Sequence, residues 1–225
     1  MTENERQYHA ALDNRRKRIM VNFVEATREL LQAEGVDGLS IRKIANEAGY
    51  NSATMYNYFR DLEHLTLFGS VCYLREYVLA LANSIKPDMN ALERFRTIYR
   101  CFNSFAFRYP DIFHNMFFGR YSDMLEDVLQ TYYYELFPEE LSGVPDSIRQ
   151  MMVNGSMQKR DRVTIDEMVR EGFITAEKAD ALLDVIAALH QNFIYEAAIY
   201  SGSIDVKQHE VRFNQLFEYL LETAK

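Results

Sequence analysis

The chain has 225 residues, 48% hydrophobic and 26% charged, a composition that suits one large domain or two small ones and excludes a disordered or fibrous protein. Nine Gly and four Pro leave little turn chemistry, which argues against a sandwich or barrel and for helices joined by short loops. The net charge of −8 excludes a generic polyanion binder, yet it hides a division. Residues 1–60 hold nine Lys/Arg against eight acids (+1), and the other 165 hold 16 against 25 (−9). An acidic body with a locally basic N-terminal segment is what a protein needs if one end alone touches nucleic acid. No stretch approaches the roughly 20 uninterrupted apolar residues of a membrane helix. Residues 1–18 are polar and lack the pattern of a secretory leader. Cys72 and Cys101, the two cysteines present, have no metal-ligand spacing and fit reduced thiols in a cytoplasmic protein.

In chain order, Ile19, Phe23, Ala26 and Leu30 form the apolar stripe of a helix over about Asn14–Ala33, which Gly35 stops. Ser40 is the N-cap of a short second helix with Ile41, Ile44, Ala45 and Ala48 on one face, ended by Gly49. Asn51 caps a third of similar length, with Met55 and Phe59 inward, and Asp61 caps the next. Two helices of about eight residues behind a longer one, joined by Gly-marked turns, is the helix-turn-helix layout. Long helices are expected thereafter over about 62–85, 89–108, 110–119, 121–137, 145–158, 164–171, 175–201 and 205–223, broken at Pro87, Pro110, Pro138, Pro145 and Gly202. The fold expected is all-α, with a helix-turn-helix domain at 1–61 and a helical ligand-binding and dimerisation domain at 62–225.

Projected at 100° per residue, the third helix sets Met55, Phe59 and Ser52 to one side and Ala53, Thr54 and Asn57 opposite, flanked by Tyr56 and Arg60. That small, polar, uncharged face suits close approach to base edges in a major groove. Tyr56 and Tyr58 have hydroxyls to donate to phosphates, as do Thr54 and the first backbone N–H groups after Asn51. Arg42 and Lys43 open the preceding helix, and Arg42 has the reach for a guanine edge. The alternative is a plain three-helix packing unit with half-buried tyrosines.

The run Gly35-Val-Asp-Gly-Leu-Ser-Ile-Arg-Lys-Ile-Ala-Asn-Glu-Ala-Gly49, followed by Asn51-Ser-Ala-Thr-Met-Tyr-Asn-Tyr-Phe-Arg-Asp61, resembles the DNA-binding module of the TetR family of repressors over about residues 15–66. The resemblance implies a homodimeric bacterial regulator, a repressor that binds a pseudo-palindromic double-stranded DNA operator and responds to a small-molecule effector held in its C-terminal domain. By position it puts Arg42, Ser52 and Ala53 near bases and Thr54, Tyr56 and Tyr58 on phosphates. Two departures stand out. Leu62 occupies the place where many members carry a phosphate-gripping Lys, so either an arm residue such as Arg16 or Lys17 compensates or backbone affinity is lower. Ala53 replaces a common Gly.

Fourteen Phe and Tyr fall between Phe95 and Phe137. Phe102, Phe105, Phe113, Met116, Phe117, Tyr121 and Met124 are candidates to line an apolar cavity for an apolar or aromatic effector, with ordinary core packing as the alternative. Tyr132, Tyr133 and Tyr134 cannot share one helix face, so at least one is exposed or interfacial. Ala188, Asn192, Phe193 and Tyr200 on one late helix, with Phe213, Phe217 and Leu220 on the next, suit an isologous four-helix dimer interface. Other signals point nowhere specific. His209-Glu210 lacks the second His of a zinc motif, with Phe213 in its place. Asp123, Glu126 and Asp127 fit a solvated face, His64, His114 and His190 fit satisfied polar residues, and Lys159, Arg160 and Arg162 fit an exposed loop. No Gly-rich phosphate loop or other cofactor motif occurs, and no enzyme is expected. An all-α enzyme using Glu196, His190 and Tyr195 in the aromatic cavity, or a protein-binding adaptor, stays open as a rival.

Overall fold

The computed structural model describes residues 3–153, 157–200 and 203–225; the side chains of 3–12, 147, 148, 151, 157, 158 and 160 lie outside the description. Every regular element described is helical. The helices are α1 (Glu3–Glu34), α2 (Ile41–Glu47), α3 (Ser52–Met55), α4 (Leu62–Ser84), α5 (Ala91–Ala106), α6 (Pro110–Phe118), α7 (Leu125–Thr131), α8 (Asp146–Val153), α9 (Met157–Arg170), α10 (Ala176–Ile199) and α11 (Val206–Thr223). Short 3-10 turns lie at Ser122–Met124 and Pro138–Leu141, and a π turn at Tyr132–Leu136. The side chain of Arg160 and the expected break at Gly202 lie outside the description.

The chain divides into two compact units. One comprises residues 1–72 and Asp127–Val144, the other Tyr73–Glu126 and Pro145–Lys225. In the first, α1 packs on α2, α2 on α3, and the π turn on α1. Its core joins Phe23, Ile44, Met55, Phe59, Leu65 and Phe68, all buried. Phe59 meets Phe23 and Phe68 edge-on at centroid distances of 6.1 and 5.4 Å. The α1–α4 approach is close enough that a Cβ on Gly69 would lie 2.6 Å from Thr27 Cγ2.

In the second unit, α10 is the central helix and packs against α6, α9 and α11, while α5 packs against α6 and α9. Asn90 starts α5 with a reciprocal capping box, accepting from Glu93 N while Glu93 accepts from Asn90 N. Pro110 opens α6 where its missing N–H goes unused.

Residues 121–137 are not one helix. The segment tightens at Ser122–Met124 and widens at Tyr132–Leu136, where Phe137 N donates to Tyr132 O at 2.8 Å. In an α-helix neighbouring residues diverge by about 100°. The wider turn lets Tyr132 and Tyr133 both be fully buried, while Tyr134 stays exposed. Expected breaks near 158–164 are also absent, since α9 runs unbroken from Met157 to Arg170. Lys159 and Arg162 thus lie on a helix, not a loop, paired with Glu126 and with Asp166 and Asp180.

Among the described residues one helix, α4, is long and apolar enough to cross a membrane by length and composition. That composition has a local reason, since 67% of its apolar window is buried within the protein.

Candidate nucleic-acid interface

The candidate segment is built by local capping. Ser40 Oγ accepts from Lys43 N at 3.3 Å to start α2. Gly49, at φ +77°, turns the chain, and any Cβ there would be strained. Asn51 Oδ1 then accepts from Thr54 N (2.9 Å) and from the Thr54 hydroxyl (3.1 Å). The helix so started is shorter than its sequence suggests. α3 makes one turn, Ser52–Met55, and continues as tight turns in which Asn57 N and Tyr58 N donate to Thr54 O and Met55 O. Met55 and Phe59 remain the inward pair.

This leaves Asn51, Ala53, Tyr56, Asn57 and Arg60 exposed, with Ser52, Thr54 and Tyr58 half-buried. Tyr56 is 58% exposed, a large side chain to leave in water on a segment this short. Arg42 is exposed on the adjoining α2. Lys43 is exposed too, but its ammonium is engaged. It pairs with Glu34 at 2.5 Å and donates to Gly38 O at 3.0 Å, fastening the α1–α2 connection.

His64 locks the far end. Its Nδ1 accepts from Arg60 N at 3.2 Å, and its own N–H donates to Asp61 Oδ1 at 3.0 Å. Burial, then the Arg60 charge, lowers its pKa, which keeps the ring neutral and accepting. Sequence reasoning treated His64 as an ordinary polar residue. Its spacing of four from Arg60 and three from Asp61 is the signal that marks it as a helix-start device. Behind the segment, Tyr50 stacks on Phe23 at 5.4 Å and receives a hydrogen bond from Asn22.

Elsewhere the candidates divide. Phe102, Phe113, Met116 and Tyr121 are buried, and Phe105, Phe117 and Met124 are half-buried. Phe102 brings Phe113 and Phe117 into one ring cluster at 5.4 Å each, and Phe105 joins through Tyr77. Tyr121 instead lies under Arg120. Among the expected dimer-face residues, Ala188, Asn192 and Tyr200 are exposed and Leu220 is half-buried. Phe193, Phe213 and Phe217 are not on an outer face. They sit in the unit's own core, Phe213 against Phe193 and His190, Phe217 against Phe95 and Tyr99. The apolar stripes of α10 and α11 are wider than one interface needs, and the largest rings turn inward. Exposed along α10, α11 and their junction are Val185, Tyr195, Ile199, Tyr200, Val206, Val211, Leu216 and Tyr219, eight of the eleven large exposed apolar residues among those described.

Two buried polar groups were missed. Tyr99 donates from its hydroxyl to Asp161, and Asn103 bonds His190. Their sequence signal is a polar Asn103 on the otherwise apolar face of α5 made by Phe95, Tyr99, Phe102 and Ala106. The residues of the enzyme rival are each engaged separately. His190 holds Asn103, Glu196 holds Asn192 and Arg212, and the Tyr195 ring lies against His114.

Two short capped helices, α2 and α3, set on a longer first helix are the helix-turn-helix layout. Residues 23–67 match the family model of the bacterial regulatory proteins of the tetR family. That match covers 45 of the 225 residues and makes the N-terminal segment similar to the DNA-binding module of that family. No curated protein sequence matches the chain. Its fold is similar to that of RolR, solved in complex with resorcinol (18% identity, 94% of this chain and 95% of that, TM-score 0.60). It is also similar to Thermus thermophilus FadR, a TetR family transcriptional repressor solved with lauroyl-CoA (16% identity, 90% and 92%, TM-score 0.57), and to a protein from Rhodococcus sp. RHA1 (19% identity, 92% and 96%, TM-score 0.54).

Proposed function

We propose that the chain is a cytoplasmic, ligand-responsive transcriptional repressor, not an enzyme, acting as a homodimer on a pseudo-palindromic operator. The observation that carries this reading is the exposed, small and polar Ala53–Asn57 surface, capped by Asn51 and flanked by Tyr56, Arg60 and Arg42. Ala53 and Ser52 approach base edges, with Arg42 on a guanine. Tyr56, Tyr58 and Thr54 grip phosphates, and Thr54 gives up its bond to Asn51 to do so. Lys43 serves the backbone contact only by leaving Glu34, a surface pair worth little.

A one-turn reading helix contacts few bases, so specificity needs two half-sites. The outer face of α10 and α11 supports the dimer. Its exposed valines, tyrosines, Ile199 and Leu216 form an apolar surface of the kind that a subunit interface covers. Residues 1–61 act as the DNA-binding domain and 62–225 as the effector and dimer domain. RolR and FadR were each solved with a ligand, resorcinol and lauroyl-CoA. An apolar or aromatic effector among the rings around Phe102 and Phe113 is the counterpart here. Its binding shifts α4 and alters the spacing of the two reading heads; a coupling of about 1–3 kcal/mol suffices to change occupancy.

The test is a footprint on the DNA flanking the chain's own coding region, repeated with a metabolite library. Protection of a pseudo-palindrome that weakens steeply with salt and is relieved by a metabolite is the expected result. An adaptor would protect nothing.

A further inference from the structure

Asn103 on α5 and His190 on α10 are both fully buried, and each is only half satisfied. His190 Nε2 meets Asn103 Oδ1 at 2.7 Å, while His190 Nδ1 and Asn103 Nδ2 have no partner. Turning the amide over exchanges the roles and changes nothing in the sum, because one donor and one acceptor are left over either way. Buried polar atoms are nearly always paired, since nothing else offsets their lost hydration. The two leftovers also lie apart. Imidazole nitrogens point to opposite sides of the ring, so Nδ1 faces away from Asn103.

The surroundings are aromatic. Tyr99 and Phe213 stack on the imidazole at 4.8 and 4.4 Å, and Phe102 meets it edge-on at 5.2 Å. Phe102 in turn touches Phe113 and Phe117. The buried carboxylate joined to this group, Asp161, takes the Tyr99 hydroxyl. An anion here would meet that carboxylate, and any charge would lose its hydration in so apolar an interior.

We infer that the Asn103–His190 pair is the polar anchor of the effector site, and that the effector is a small neutral aromatic molecule bearing hydroxyl groups. A hydroxyl both donates and accepts through one oxygen, so it serves either leftover atom in either amide orientation. An aromatic frame suits neighbours such as Tyr99, Phe102 and Phe213, the rings that already pack on His190. This assignment rests on the reading of the chain as an effector-responsive regulator.

Calorimetric titration of the full chain with phenol, 4-hydroxybenzyl alcohol and toluene tests it, alongside His190→Phe, which keeps an aromatic ring and removes both nitrogens. Both hydroxylated probes are expected to bind at least tenfold more tightly than toluene, and His190→Phe to abolish that preference. Nitrogen NMR of the wild-type histidine ring supplies a readout that holds even if the variant does not fold: the His190 Nδ1 signal should move when phenol is added. Equal affinity for toluene, no binding of either hydroxylated probe, or an unmoved Nδ1 signal overturns the assignment. Release of DNA by a metabolite without phenol binding would keep the regulator and discard this site. Phenol binding at His190 with unchanged DNA occupancy would keep the site and discard its regulatory role.

Discussion

The Arg28 guanidinium donates to Glu140 Oε1 at 3.1 Å, joining α1 to the turn after Pro138 across 112 residues of sequence. Tyr132 completes a closed triad, receiving a second Arg28 hydrogen bond and donating to the same Glu140 oxygen at 3.1 Å. Burial first, and the Glu140 charge after it, push the phenol well above its ordinary range, so it remains a donor. The Arg28 plane also lies over Phe137, 5.1 Å from its centroid. Glu140→Ala removes the acceptor of one buried donor, Tyr132, and one half-buried donor, Arg28, and should cost about 1–3 kcal/mol. Arg28→Lys should not rescue the site, because an ammonium has no planar fork. Thermal melts check both, with the exposed-pair variant Lys17→Ala expected to stay within about 0.5 kcal/mol of wild type.

The α1–α4 contact gives a paired prediction. Gly69→Ala drives a methyl to 2.6 Å from Thr27 Cγ2 and 3.0 Å from Thr27 Cβ, so it should destabilise by roughly 1–3 kcal/mol. Thr27→Ser deletes the nearer atom and keeps the hydroxyl bond to Phe23 O at 2.7 Å. The double variant should therefore recover part of the loss, and denaturant unfolding of the four chains of that cycle measures it.

Acid should loosen the fold through its histidines. Burial pushes His190 down to about 3, from an ordinary value of 6.5, and lowers His64 as well. Between those limits the unfolded chain binds a proton that the folded chain refuses, so stability falls as pH drops below about 6.5 and levels off near 3. The slope from one such group approaches about 1.4 kcal/mol per pH unit. Denaturation midpoints from pH 7 to pH 4 test this, with His190→Gln expected to flatten the dependence.

The outer face of α10 and α11 predicts a dimer that charge disrupts. Ile199→Asp and Tyr219→Asp replace exposed apolar side chains and should leave the monomer's fold intact while lowering the mass seen in light scattering. Phe213→Asp, by contrast, should unfold the subunit, because Phe213 is fully buried in its core.

The helix-turn-helix end is the most legible part of the sequence because its determinants are local. Ser40, Asn51 and Asp61 each cap the helix that follows within three residues, and Gly35 and Gly49 each turn the chain at positive φ. What failed depended on distant partners. The length of α3 reads as two turns from Met55 and Phe59 alone, while the backbone tightens after one. The uninterrupted helix expected over 121–137 gives way to a π turn whose Tyr132 answers to Arg28, more than a hundred residues earlier. Phe193, Phe213 and Phe217 share their stripes with interface-like residues, and periodicity does not say which half of a wide stripe turns inward. Asn103 was invisible as a partner of His190, since the two lie 87 residues apart.

The most direct test of the account is the affinity of the homodimer for its footprinted operator with and without Asn57→Glu. Asn57 is exposed, so the carboxylate should leave fold and dimer mass unchanged while repelling the duplex. Retention should drop at least a hundredfold. An Asn57→Glu dimer that holds its operator as tightly as wild type would show that this segment does not read DNA.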